Sequence, residues 1–104
     1  MGRYPEGFSE IVTWELAGSA TAVVMPSVAC ELVCFKAESS NAGGVYIGKA
    51  GVTVAAGTTT TTAGFALEPG DVSPWFPVKN LNVFYRICDN AGDDLTYIAL
   101  RGDS

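Results

Sequence analysis

Histidine is absent from the 104 residues, which removes the commonest general base and the commonest transition-metal ligand together. Positive charge is scarce as well: six Lys and Arg stand against 11 Asp and Glu, for a net charge of -5. The six bases are scattered, whereas binding a phosphate backbone needs a clustered positive surface, so nucleic acid is not an expected ligand. No apolar run approaches the roughly 20 residues that span a bilayer. Met1 to Glu10 lacks the apolar core of a signal peptide, and Glu6 stands where a myristoylation pattern has Ser or Thr. No membrane partner is expected.

Cysteine is limited to Cys30, Cys34 and Cys88. An odd set in a chain without a secretion signal predicts reduced, buried thiols. If residues 28 to 37 form a strand, Cys30 and Cys34 lie about 13 Å apart along it, at about 3.3 Å per residue, too far for a disulfide. A bond from either to Cys88 on a neighbouring strand is the alternative reading. With no fourth Cys and no His, the three sulfurs make a poor zinc site. There is also no activated-serine motif and no Gly-rich phosphate loop opening a helix, so neither an enzyme nor a cofactor is expected. No pair of acids is placed by sequence for general acid–base work, although Glu38, Glu68 and Asp71 could meet in space.

What the chain does have is apolar residues, at 48%, aromatics, at 11%, and turn residues. Its organising stretch is Ser39 to Thr53, SSNAGGVYIGKAGVT, in which Val45-Tyr46-Ile47 is set between Asn41-Ala42-Gly43-Gly44 and Gly48. Asn and Gly tolerate the positive φ of tight turns, so the stretch reads as β punctuation. Glu10 to Leu16 alternates as a half-buried strand, with Val12, Trp14 and Leu16 on one face. Ala17-Gly18-Ser19 reads as a turn into a strand over Ala20 to Met25, and the two strands are expected to form a hairpin. Val28 to Ala37 also fits helical spacing after Ser27, but period two and the flanking turns favour a central strand. Val52 to Ala56 is a short strand, followed by Thr58 to Thr62, a uniform run that reads as a loop.

Phe65 to Leu67 enters Glu68-Pro69-Gly70-Asp71, with Pro and Gly where a type II turn prefers them. Val72 to Phe76 is a strand interrupted by Pro74 and closed by Pro77, hence a sheet edge. Leu81 to Cys88 and Leu95 to Leu100 are the last strands, joined by a polar hairpin loop, Asp89 to Asp94. Its carboxylates make a calcium ion conceivable, although they fit no EF-hand and acidic tips are usually solvated. Arg101-Gly102-Asp103-Ser104 reads as a solvated tail. Seven or eight strands at this spacing predict an all-β fold, a small antiparallel β-sandwich of jelly-roll-like form, with residues 1–9 as an N-terminal arm and 10–104 as one domain.

The run MPSVACELVCFKAESSNAGGVYIGKAGVT, followed by GFALEPGD, NLNVFYRI and DDLTYIAL, resembles a recurrent type of small virion-associated protein of tailed bacteriophages. The matching positions are Asn41, Gly44, Val45 to Gly48, Gly51 to Thr53, Gly64, Leu67, Pro69, Gly70, Asn80, Leu81 and Leu95 to Ala99, so the resemblance covers about residues 25 to 100. It implies a virion structural protein, a capsid decoration or cement protein on the head surface, with the major capsid protein as partner and a homo-oligomer, a trimer favoured. A tail- or head-attached module that recognises a host glycan or receptor is the alternative. No catalytic residues come with it. The expected contact regions are the arm, through Arg3, Tyr4, Pro5 and Phe8, the threonine loop of Thr58, Thr59, Thr60, Thr61 and Thr62, and an aromatic patch of Trp75 and Phe76.

Overall fold

A computed structural model describes residues 10–52 and 64–102 of the chain. The arm at 1–9, the threonine run, most of the expected strand at Val52 to Ala56, and Asp103 lie outside the described residues. Two antiparallel sheets make up the fold. One has the order β1-β7-β3, from β1 (Glu10–Ala17), β7 (Asp94–Arg101) and β3 (Leu32–Ala37). The other has the order β2-β6-β4-β5, from β2 (Val23–Val24), β6 (Tyr85–Cys88), β4 (Val45–Gly48) and β5 (Phe65–Leu67).

Pro74 within the 72–76 segment and Pro77 just after it prevent a regular ladder, yet the segment still bridges β3 at Val33↔Phe76 and Lys36↔Val72. Counted as a strand, it completes eight. The first, last, third and sixth strands then form one sheet and the second, seventh, fourth and fifth the other, which is the jelly-roll arrangement. The all-β sandwich expected from alternation is the observed fold.

Period-two burial explains which side of each strand faces in. Val33, Phe35 and Ala37 of β3 and Leu95, Tyr97 and Ala99 of β7 are buried against Val45 and Ile47 of β4, Leu67 of β5 and Cys88 of β6. Phe35 centres an aromatic cluster, with the Phe84 ring 5.2 Å away edge-on and the Phe76 ring at 6.1 Å. Such pairs add about 0.5–1.5 kcal/mol each beyond burial. The turn at Glu68–Asp71 forms as expected: Asp71 N–H donates to the Glu68 carbonyl at 2.8 Å, and Gly70 carries the positive φ, 88°, that the third position requires.

Several local expectations are corrected. β1 and β2 are not a hairpin, since β1 pairs with β7 over eight residues and β2 pairs with β6 over two. The register with β7 takes in all eight residues of β1, whereas β2 offers only two for a ladder. Asp89 to Asp94 likewise crosses between sheets, because β6 and β7 have no pairing with each other. The strand expected from Val28 begins at Leu32, and that expected from Leu81 begins at Tyr85 after a 3-10 turn over Leu81–Val83. Asn80 accounts for both: its side-chain oxygen accepts from Asn82 N–H at 2.9 Å and from Val28 N–H at 3.1 Å, capping the turn and diverting residue 28 from a ladder.

Candidate functional site

Two groups of residues qualify by composition, the acidic loop and the exposed aromatics, and their geometries are opposite. In the acidic loop every carboxylate serves the chain's own backbone. Asp93, only 3% exposed, accepts from Ala42 N–H at 2.9 Å, Gly43 N–H at 3.0 Å and the Asn90 amide at 3.3 Å. Asp89 accepts from Gly44 N–H at 2.8 Å. Asp94 accepts from Gly18 N–H at 3.3 Å, while its own N–H and carbonyl bond the Asn41 side chain, both at 2.8 Å. The loop is therefore a clasp closing one pole of the sandwich: Asp89 to Gly92 are exposed, as its polarity predicts, while Asp93 is buried. Gly18 lies so close beneath it that a Cβ there would sit 1.6 Å from the Asp93 carbonyl oxygen.

That clasp explains why the Asn41 to Gly44 stretch organises the chain: the N–H groups of Ala42, Gly43 and Gly44 point at carboxylates across the pole. No group of three His, Cys, Asp or Glu among the described residues could hold a metal ion. No hydrogen bond joins the side chains of Glu38, Glu68 and Asp71 to one another among the described residues. The Asp71 carboxylate accepts from Glu68 N–H at 2.9 Å, and Glu38 is tied through its backbone to Asp94. Cys30, Cys34 and Cys88 are free and buried. Burial pushes the Cys30 and Cys88 thiols above the usual range, the opposite of what a reactive thiolate requires.

The second group lies on the sheet β1-β7-β3 and its margins. Trp75 is 45% exposed, but its neighbour Phe76 turns inward, 5.4 Å from the Phe84 ring and 6.1 Å from that of Phe65. The two thus divide, one outward and one towards the core. Ser73 makes the irregular segment tolerable: its buried hydroxyl accepts from Phe35 N–H at 2.8 Å and donates to the Pro74 carbonyl at 2.8 Å. Four residues, 73–76, span the step from Val72 to Phe76 against three on β3, so the segment carries a bulge.

Sequence reasoning did not single out Trp14 and Ile11, which are 71% and 63% exposed. Trp14 has the inward parity of Val12 and Leu16, but the facing sheet ends in the two-residue β2, and no described residue buries the indole. Pro26 and the small residues between Gly18 and Ala22 were the available signal, since they leave little room for a second strand. On the outward side, Ile11, Leu100 and Leu32 form one row and Thr13, Ile98 and Cys34 the next. A shallow trough of about 630 Å³ crosses this sheet, with Thr13, Glu15, Lys36, Thr96, Ile98 and Val72 in its lining. At the far end, Arg101 is the last residue of β7 rather than part of a tail, and its guanidinium lies 2.6 Å from Glu10. Arg3, Tyr4, Pro5, Phe8 and Thr58 to Thr62 lie outside the described residues.

No family model matches the chain, and no curated protein matches it. Among solved structures, it is similar to a Bacillus endospore appendage protein from a family described as disulfide-linked pili, at 17% identity and a TM-score of 0.45, over 89% of this chain and 87% of that one.

Proposed function

We propose that the protein is a virion structural protein of the capsid decoration or cement type, which docks on the outer surface of a phage head and stabilises it. The observation that supports this reading is the unequal treatment of polar and apolar groups. The described acids of the loop are committed to holding the fold, while Ile11, Trp14, Val72 and Trp75 stand exposed on or beside one sheet. Large exposed apolar side chains on a small rigid sandwich suit protein–protein contact. The phage setting comes from the motif resemblance around Asn41 to Gly48 and Gly64 to Gly70, since a jelly roll by itself hosts many functions.

The mechanism is added buried interface. Contacts across capsid subunit boundaries, repeated many times over a shell, make rupture more costly than any single contact implies. Sedimentation of the purified protein with mature and immature shells tests this. Saturable binding to mature shells, at a multiple of the shell's symmetry number and weakened by Trp75→Ser, is the expected result. Absence of binding to either shell overturns the reading, and binding to host cells that free glycan competes away would assign the exposed aromatics to adhesion instead.

A further inference from the structure

We infer that the free edge of β1 is a self-pairing edge, which joins two copies of this chain through an antiparallel β1–β1 ladder about a two-fold axis centred on Thr13. The inference is independent of any phage setting.

The outer backbone groups of β1 have no ladder partner among the described residues. Residues of an antiparallel strand direct their N–H and C=O alternately to one side and the other. Glu38 N–H donates to the Asp94 carbonyl at 3.2 Å, and Glu31 N–H to the Leu100 carbonyl at 2.9 Å. Asp94, Thr96, Ile98 and Leu100 therefore aim at β3, and Leu95, Tyr97, Ala99 and Arg101 aim at β1. Their partners in register are Leu16, Trp14, Val12 and Glu10. Ile11, Thr13 and Glu15 consequently direct their N–H and C=O groups away from the sheet. Ala17 checks the parity, because its carbonyl, aimed the same way, accepts from Arg86 Nε at 3.3 Å.

No described residue covers this edge. β1 runs eight residues in unbroken register, without proline, lysine or bulge. Natural sheets rarely leave a long regular edge unprotected, because it templates further pairing. The opposite margin of the same sheet has two prolines and a bulge.

The edge is also self-complementary. With Thr13 opposite Thr13 of a second copy, Ile11 meets the second copy's Glu15, and Glu15 meets its Ile11. All three free residues of each chain then form bonded pairs. Moving the axis to Trp14 would instead set Ile11 against Ala17, whose carbonyl Arg86 already holds. In the Thr13 register no like charges stand directly opposite, since Glu10 faces Leu16 and Glu15 faces Ile11. Val12 and Trp14 meet as close non-hydrogen-bonded pairs, which covers the indole that no described residue buries. The product is one continuous sheet of six regular strands, with the 72–76 segment of each copy along its two outer margins, closed at two copies.

Cysteine scanning across the axis tests this, with wild-type protein oxidised in parallel as the background for the three native thiols. In the paired register the two Thr13 Cα atoms are about 5.5 Å apart, within disulfide reach. Thr13→Cys is expected to give a covalent dimer under mild oxidation, while Ile11→Cys, which faces Glu15, stays single. Ile11→Cys combined with Glu15→Cys restores the cross-link. Thr13→Lys, which sets two ammonium groups face to face, is expected to weaken wild-type dimerisation in sedimentation equilibrium about tenfold or more. Its backbone groups lie outside the β7 ladder, so folding is retained and is checked by circular dichroism. Equal cross-linking of Thr13→Cys and Ile11→Cys, cross-linking of neither, or an assembly unaffected by Thr13→Lys would overturn the inference.

Discussion

The clasped pole and the β1 flank of the same sandwich solve opposite problems. At the pole, loops with no regular structure come together, and each carboxylate meets a backbone N–H that folding would otherwise leave without a partner. Along the flank the backbone of β1 is regular, yet its outer N–H and C=O groups and two of its largest side chains have no partner among the described residues. The pole is finished by the described residues themselves, and the flank is not. A cluster of acids is therefore not a site when its acceptors are filled, whereas an ordinary strand becomes one when its edge and its tryptophan are left open.

Breaking the pole should have the largest effect on stability. Asp93 accepts three hydrogen bonds in a buried position, and Asp93→Ala would leave Ala42 and Gly43 N–H groups facing an apolar methyl. A loss of about 3 kcal/mol is expected in chemical denaturation. Asp93→Asn, which keeps one acceptor oxygen, should lose less. Equal losses for the two variants would show that the loop is held by something other than these bonds.

Ser73→Ala sharpens the contrast between the margins of one sheet, because Ser73 replaces a ladder bond that the proline-interrupted segment does not make. Removing its hydroxyl orphans the Phe35 N–H inside the core, at a cost of about 1–3 kcal/mol. Cys34 Sγ donates to the Ser73 carbonyl at 3.2 Å and lies 3.8 Å from the Ser73 hydroxyl, but makes no bond to the Phe35 N–H, so Cys34→Ala provides the comparison. Thermal unfolding of the two variants separates loss of the Phe35 N–H acceptor from loss of the thiol's own contacts.

The two regions also differ in how far the sequence discloses them. Alternation in Glu10 to Leu16 and Leu95 to Leu100, and the Pro-Gly turn before Asp71, are local signals that carry their own geometry, so the all-β sandwich and the edge position of the 72–76 segment were legible. Pairing was not, because strand partners are chosen by burial across long separations: Ala17-Gly18 reads as a hairpin turn although β1 belongs with the far end of the chain. The same holds for Asp93, whose polarity predicts solvent until the 41–44 loop is brought to it. Trp75 and Phe76 read as one patch, and period two sends them to opposite sides. Trp14 was hidden for the converse reason, since its parity is inward and only the shortness of β2 leaves it uncovered.

The buried thiols extend the comparison to pH. Burial raises the Cys30 and Cys88 thiols and the Tyr97 phenol. A raised folded-state value means that the stability is fully present below the unfolded thiol value, about 8.5, and is lost as pH rises through the folded one. The denaturation midpoint should fall as pH is raised above about 9, and Cys88→Ala should flatten that fall. On the acid side, Arg101 holds the exposed Glu10 carboxyl below its ordinary value. That contribution is present above the unfolded value, about 4.3, and disappears as pH falls through the folded one. A midpoint indifferent to alkaline pH would mean that the thiols ionise as freely in the fold as in the open chain.

The smallest change in stability is expected where binding should change most. Trp14 and Trp75 are exposed in the single chain, so serine at either position should alter the unfolding free energy by no more than about 0.5 kcal/mol. Their assembly phenotypes should nevertheless separate. Trp14→Ser removes a side chain that the β1–β1 ladder would cover and should weaken self-association, while Trp75→Ser, on the blunted margin, should leave self-association intact and lower affinity for an external partner. If Trp14→Ser instead destabilised the fold by several kcal/mol, the indole would be part of the core after all, and the openness of the β1 flank would have to be explained by a cover from within the same chain.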